Sequence, residues 1–178
     1  MHAALDAPQP AFEAGLCTLD IEASGFGRHS YPIEIGIVQP GGRSFCTLIK
    51  PAPHWTHWDV AAERVHGISR ALLERHGRPV ALVARLLNEQ LQGSVVYTDA
   101  WAHDYPWLAA LFEEAGSTPR FKLESVACVL DIDVLPQLQL AQREALAAMG
   151  LTRHRASNDA RALQQALLRL RRSGRAHH

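Results

Sequence analysis

Hydrophobic residues gather in short blocks over the first fifty positions and recur at helical spacing afterwards. Leu16-Cys17-Thr18-Leu19-Asp20-Ile21-Glu22 reads as a buried strand, Ile33 to Val38 as a second and Arg43 to Ile49 as a third. Gly41-Gly42 forms a turn and Pro51 and Pro53 end the third run, which predicts an antiparallel meander. A short helix is expected around Val60 to Val65 and another from Ser69 to His76. Val80, Val83, Ala84, Leu87 and Leu91 mark a longer helix that stops at Gly93. Ser94 to Thr98 predicts a fourth strand, followed by a helix from about Tyr105 to Ala115 with Pro106 in its first turn, where proline is tolerated. The fifth strand is expected within Phe121 to Leu130. Leu138 to Met149 reads as a helix capped by Gly150. Ser157 or Asn158 can cap a last helix, running to about Arg172 and burying Leu163, Ala166, Leu167 and Leu170. A meander followed by alternating helices and strands predicts an α/β architecture, a five-stranded mixed sheet with helices on both faces.

Composition narrows the class without naming a function. The chain has 178 residues, 47% of them hydrophobic and 20% charged, which suits one domain, expected over residues 15–172. Residues 1–14 are expected as a poorly ordered lead-in and 173–178 as a tail. No apolar stretch approaches the roughly 18 residues needed to cross a bilayer, and the N-terminus lacks a basic segment followed by a hydrophobic one. A cytoplasmic location with no membrane partner is therefore expected. Cys17, Cys46 and Cys128 are odd in number, widely spaced and mostly in apolar surroundings, so buried, reduced thiols are expected. Formal net charge is zero, and a polyanion would have to be met by local clusters. Arginines crowd the end of the chain, including Arg153, Arg155, Arg161, Arg169, Arg171, Arg172 and Arg175; they read equally as a solvated helix face or as phosphate ligands.

The chemistry starts with Asp20 and Glu22. Residues i and i+2 of a strand project from the same side, so two carboxylates stand together while Ile21 packs on the other face. Without a counter-charge one pKa would rise, whereas a divalent cation lets both remain ionised. Further acids are sought at strand ends and helix starts facing that edge. Asp104 follows the fourth strand and opens a helix, where a plain N-cap is the alternative reading. Asp99 competes with it, sitting nearer the strand end. Asp159 opens the final helix, where dipole compensation is the alternative, and His154 stands five residues before it. The spacing His-x4-Asp also occurs at His54 to Asp59, so order and placement carry more weight than spacing.

In that order the residues resemble the DEDDh 3′-5′ exonucleases, a family that includes the proofreading subunit of bacterial DNA polymerase III, ribonuclease T and oligoribonuclease. The resemblance covers about residues 15 to 172. Thr18 to Phe26 is similar to the first motif, Asp104-x-x-Trp107-Leu108 to the second and His154-Arg155-Ala156-x-x-Asp159-Ala160 to the third; Glu34-Ile35-Gly36 and His66-Gly67-Ile68 resemble secondary motifs. The resemblance implies a ribonuclease H-like fold and release of nucleoside 5′-monophosphates from single-stranded DNA or RNA 3′ ends. It further implies two divalent metal ions, Mg2+ or Mn2+, held by Asp20, Glu22, Asp104 and Asp159, with His154 as general base. Phe26, in place of the family's usual leucine, would lie against terminal bases or tuck against the sheet. Glu34 would contact the 3′ nucleotide or face solvent, and His66 would approach substrate or pack in its loop. Relatives that degrade RNA can need a dimer, so a homodimer or a polymerase partner is also an expectation. The rival reading is a non-catalytic nucleic-acid- or polymerase-binding module on the same fold.

Overall fold

Three strands, Cys17–Ala23 (β1), Pro32–Val38 (β2) and Ser44–Leu48 (β3), form the expected antiparallel meander in a computed structural model that describes residues 15–175. The helices Val60–His66 (α1), Arg70–His76 (α2) and Val80–Leu91 (α3) lead to the strand Val95–Thr98 (β4). The helix Trp101–Glu114 (α4), the strand Lys122–Ser125 (β5) and the helices Leu138–Met149 (α5) and Ala156–Arg175 (α6) complete the order. The sheet runs β3-β2-β1-β4-β5, with β1 parallel to β4 and β4 parallel to β5. Residues 1–14, expected as a lead-in, and 176–178 of the expected tail lie outside the described residues.

Alternation along β1 decides what each face meets. Cys17, Leu19 and Ile21 enter a core with Val83, Leu87 and Leu91 of α3 and Leu108 and Leu111 of α4. The opposite parity faces α6, where the buried Thr18 hydroxyl donates to the Ala160 carbonyl at 2.7 Å. Leu163, Ala166, Leu167 and Leu170 of α6 pack with Leu138 and Ala141 of α5 in a second cluster, as the helical spacing predicts. Each fully buried leucine contributes about 1.5–3 kcal/mol. Gln164, 3% exposed, donates to the carbonyls of Leu16 (2.6 Å) and Gln39 (2.9 Å), so one side chain ties α6 to the ends of β1 and β2. Helices thus cover both faces.

Several expectations are corrected. Helix α4 starts at Trp101, four residues before Tyr105, with the Ala100 carbonyl accepting from His103 (2.8 Å) and Asp104 (3.0 Å). Pro106 therefore lies past the first turn and deprives Ala102 of its helical donor. Stacked pairs one turn apart, Trp101 with Tyr105 (4.9 Å) and His103 with Trp107 (5.8 Å), hold the additional turn. Neither Ser157 nor Asn158 caps α6, which begins at Ala156; its cap is Glu34 of β2, whose carboxylate accepts from the Ala156 N–H at 2.9 Å. Of the three free cysteines only Cys17 is buried, which pushes its thiol up to about 12. Cys46, on the edge strand β3, and Cys128, in a short turn after β5, are exposed. Among the described residues no helix is long and apolar enough to cross a membrane.

Candidate active site

The carboxyl ends of β1 and β4 open into a cavity of about 540 Å3. Asp20, Glu22, Asp99, Asp104, Asp159 and His154 all line it, together with Phe26 and His66. Asp20 and Glu22 share the α6 face of β1, and in the sheet register they stand opposite Gly36 and Glu34 of β2. Asp104 reaches the same place from the first turn of α4; it is 1% exposed and accepts a hydrogen bond from the Thr98 hydroxyl at the end of β4. Asp99 is exposed and accepts from Gln142 of α5 at 2.9 Å.

The third group arrives on the loop into α6. Gly36 receives that loop directly: a Cβ there would stand 2.3 Å from the Ala156 carbonyl carbon and 2.4 Å from its oxygen, so only glycine lets the start of α6 lie on β2. Glu34, 1% exposed, holds the same junction through Arg155 Nη2 (2.6 Å) and the Ala156 N–H (2.9 Å). His154 has φ 64°, a left-handed conformation that costs a non-glycine residue about 1–2 kcal/mol. Asp159 offsets that cost by accepting the His154 N–H at 2.6 Å, which also turns the exposed imidazole over the acids. Ligand atoms of Glu22, His154 and Asp159 lie within 4.8 Å of one another.

Burial and repulsion between neighbouring acids raise the pKa of Asp20, Glu22, Asp104 and Asp159. Burial pushes Glu22 up to about 7, with Asp159 and Glu34 adding to it and Arg155 and Arg153 opposing it. Asp104 also rises to about 7, mainly through burial, although the Thr98 hydroxyl opposes the rise. Asp20 is raised well above the ordinary carboxylate range by burial and then by Asp104, Glu22 and Asp159. Asp159 is raised by burial, against the His154 N–H and Arg153. A set of carboxylates held uncomfortable in this way fits divalent cations, which return each to its ionised form.

The remaining expectations divide. Phe26 is 69% exposed and meets His103 edge-on (5.6 Å) and Trp107 (6.3 Å), forming an aromatic flank of the cavity. His66 is buried; its Nδ1 accepts from the Ile68 N–H at 3.0 Å, placing the ring proton on Nε2, which has no partner among the described residues. Glu34 does not face solvent, which corrects one of its two expected places: its buried carboxylate is taken up by Arg155 and Ala156. Reading the sequence missed Thr98 and the pairing of His103 with Trp107. The i, i+4 aromatic spacing of His103 and Trp107 was the available signal; a threonine ending a strand gives none.

Gly36→Ala is expected to displace the start of α6 and with it Asp159 and His154. Stability should fall by about 1–3 kcal/mol, and Mn2+ affinity by roughly tenfold, as for other residues that support metal ligands. Thermal melting and calorimetric titration with Mn2+ check both; unchanged metal affinity would disconnect the glycine from the site.

No protein-family model and no curated protein sequence matches the chain. Solved structures do. A moderately thermophilic exonuclease I from Methylocaldum szegediense superposes with a TM-score of 0.61 at 18% identity, covering 89% of this chain and 41% of that one. E. coli exonuclease I in complex with a dA16 oligonucleotide gives a TM-score of 0.66 at 15% identity, covering 91% and 43%. The zinc ion bound form of the E. coli exonuclease I complex with single-stranded DNA gives 0.68 at 14% identity, covering 91% and 41%. The chain spans less than half the length of each of these structures. Its fold is the fold they share, the ribonuclease H-like α/β architecture anticipated above.

Proposed function

We propose that this protein is a cytoplasmic, metal-dependent 3′-5′ exonuclease that removes nucleoside 5′-monophosphates from single-stranded DNA. In this reading Asp20, Glu22, Asp104 and Asp159 hold two divalent cations, Mg2+ or Mn2+, and His154 is the general base. The observation that carries it is the convergence of four carboxylates and one histidine, from β1, α4 and the α6 junction, on a single cavity in a fold shared with exonucleases.

Each residue has a task that follows from its place. Bound at the four carboxylates, two divalent cations supply Lewis acidity at the phosphoryl oxygens and lower the pKa of water. The exposed imidazole of His154, on a backbone fixed by Asp159, takes the proton of the attacking water. Phe26, with His103 and Trp107 behind it, offers a face on which a terminal base stacks, a contact worth about 1–3 kcal/mol that any base can make. Asp99, exposed at the rim, is a poorer ligand than Asp104, which Thr98 fixes in one orientation.

A 5′-labelled single-stranded oligonucleotide incubated with Mg2+ or with EDTA tests the proposal. A ladder shortening from the 3′ end only with Mg2+ is expected. Calorimetric metal binding without shortening of DNA or RNA would instead favour the binding module. His154→Ala is expected to lower kcat by about a hundredfold, the usual scale of a lost general base, with Mn2+ affinity little changed. A kcat within a fewfold of the wild type would assign the base elsewhere.

A further inference from the structure

Beside the acidic cavity lies a second, of about 450 Å3, whose lining carries Arg28, His29, His54 and His57 and, among the described residues, no acid. The two cavities share their walls. The loop after β1 lines the first with Gly25 and Phe26 and the second with Arg28 to Tyr31; the segment before α1 lines the second with His54 to His57 and the first from Asp59 onward. The partition between them is thin and fixed. A Cβ on Gly25 would stand 2.7 Å from both His57 Cε1 and Asp59 Cβ, so the loop and the segment touch there. The Trp107 indole, in the first cavity, donates to Ser30 Oγ, in the second, at 2.8 Å.

Charge separates what the shared walls join. The first cavity gathers six carboxylates, those of Asp20, Glu22, Asp59, Asp99, Asp104 and Asp159, and repels a polyanion. The second presents donors. Arg28 and His29 are exposed, and His54 Nε2 lies 3.3 Å from a Glu114 carboxylate oxygen. The Ser24 hydroxyl accepts from the Tyr31 N–H (3.1 Å) and lies 3.3 Å from His57 Nδ1, to which it can donate. With Ser24 donating to Nδ1, the His57 ring proton sits on Nε2 as a donor. A chain of zero net charge can meet a polyanion only through a local cluster such as this one.

We infer that this second cavity is an anion subsite for the phosphodiester groups upstream of the scissile one, engaged when the 3′ end of a single strand occupies the acidic cavity. The inference rests on the exonuclease reading for the direction of the strand. Arg28 supplies the charge, and His29 and His57 supply N–H donors to non-bridging oxygens. Binding there would anchor the strand outside the acidic cavity and make cleavage depend on substrate length.

The experiment compares the wild type with Arg28→Ala/His29→Ala, two exposed loop positions. With Mg2+, kcat/KM is measured on deoxyoligonucleotides of two to six residues. The wild type should gain at least about tenfold from the dinucleotide to the longest substrate, and the double variant should gain less than about twofold. Fluorescence anisotropy on labelled dT10, with Ca2+ in place of Mg2+, should show affinity down about tenfold and the slope of log K against log salt reduced by about one. Equal affinity and an equal salt slope in the two proteins overturn the subsite. If the wild type cleaves no substrate of any length, the exonuclease reading fails alone, and the anisotropy still decides the subsite.

Discussion

Asp20→Asn should reduce metal-dependent shortening of single-stranded DNA by about a thousandfold or more, and should at the same time raise the melting temperature of the metal-free protein. The two effects have one origin. Asp20 stands where burial and the charges of Asp104, Glu22 and Asp159 all act on it, so without metal its ionised form is disfavoured. Without metal, a neutral amide of the same shape removes that repulsion and the fold gains. With metal, the same charge is a ligand, and losing several kcal/mol of Lewis-acid stabilisation translates into three or more powers of ten in rate. A chain of this size gains roughly 2–4 °C per kcal/mol. Gel assays with Mg2+ and melts in EDTA give both readings. Activity within tenfold of the wild type would remove Asp20 from the ligand set, and a lower metal-free melting temperature would show that the charges do not collide.

Metal-free protein should melt at a lower temperature at pH 8 than at pH 5, and Mn2+ or Mg2+ should reverse the order. A carboxyl whose pKa is raised by folding binds more protons folded than unfolded. Its contribution is therefore complete below about pH 4 and is lost as pH climbs through the folded value. For Glu22 and Asp104 that value is about 7, and Asp20 and Asp159 move in the same direction. The loss thus falls between pH 4 and a little above pH 7. Asp104, 1% exposed and raised to about 7, accounts on its own for on the order of 4 kcal/mol, equivalent to about 10 °C. Divalent cations bind the ionised carboxylates, so they stabilise most at pH 8 and least at pH 5, where protons compete. Melting temperatures in EDTA that stay level from pH 5 to pH 8 would rule out the repulsion on which the metal site is argued.

Local pattern carried much of the architecture. The meander, helices α1 to α3 and helix α5 with its left-handed Gly150 cap follow from alternation, helical spacing and turn residues, all of which act within a few positions. What pattern missed was set from a distance. The α6 cap is Glu34, 122 positions from the N–H it accepts, so a search for a neighbouring serine or asparagine could not find it. The first turn of α4 depends on aromatic stacking that outweighs the usual place of proline in a helix. Asp20, Glu22, Asp104, Asp159 and His154 could be singled out in advance from strand parity, element boundaries and the family resemblance, and all five line one cavity. Arg155, Glu34 and Gly36 act through a junction that exists only once β2 and α6 meet.

That junction also orders events in time. Thr18 and Ala160, joined by one hydrogen bond, are 142 positions apart, an interval that translation at 5–20 residues per second covers on the order of ten seconds. Throughout it the emerging chain carries Asp20 and Glu22 on a strand with no Asp159 or His154 to complete the cluster. In the exonuclease reading, a chain synthesised only as far as α5 should therefore be inert, and cleavage competence should come with the docking of α6 onto Gly36.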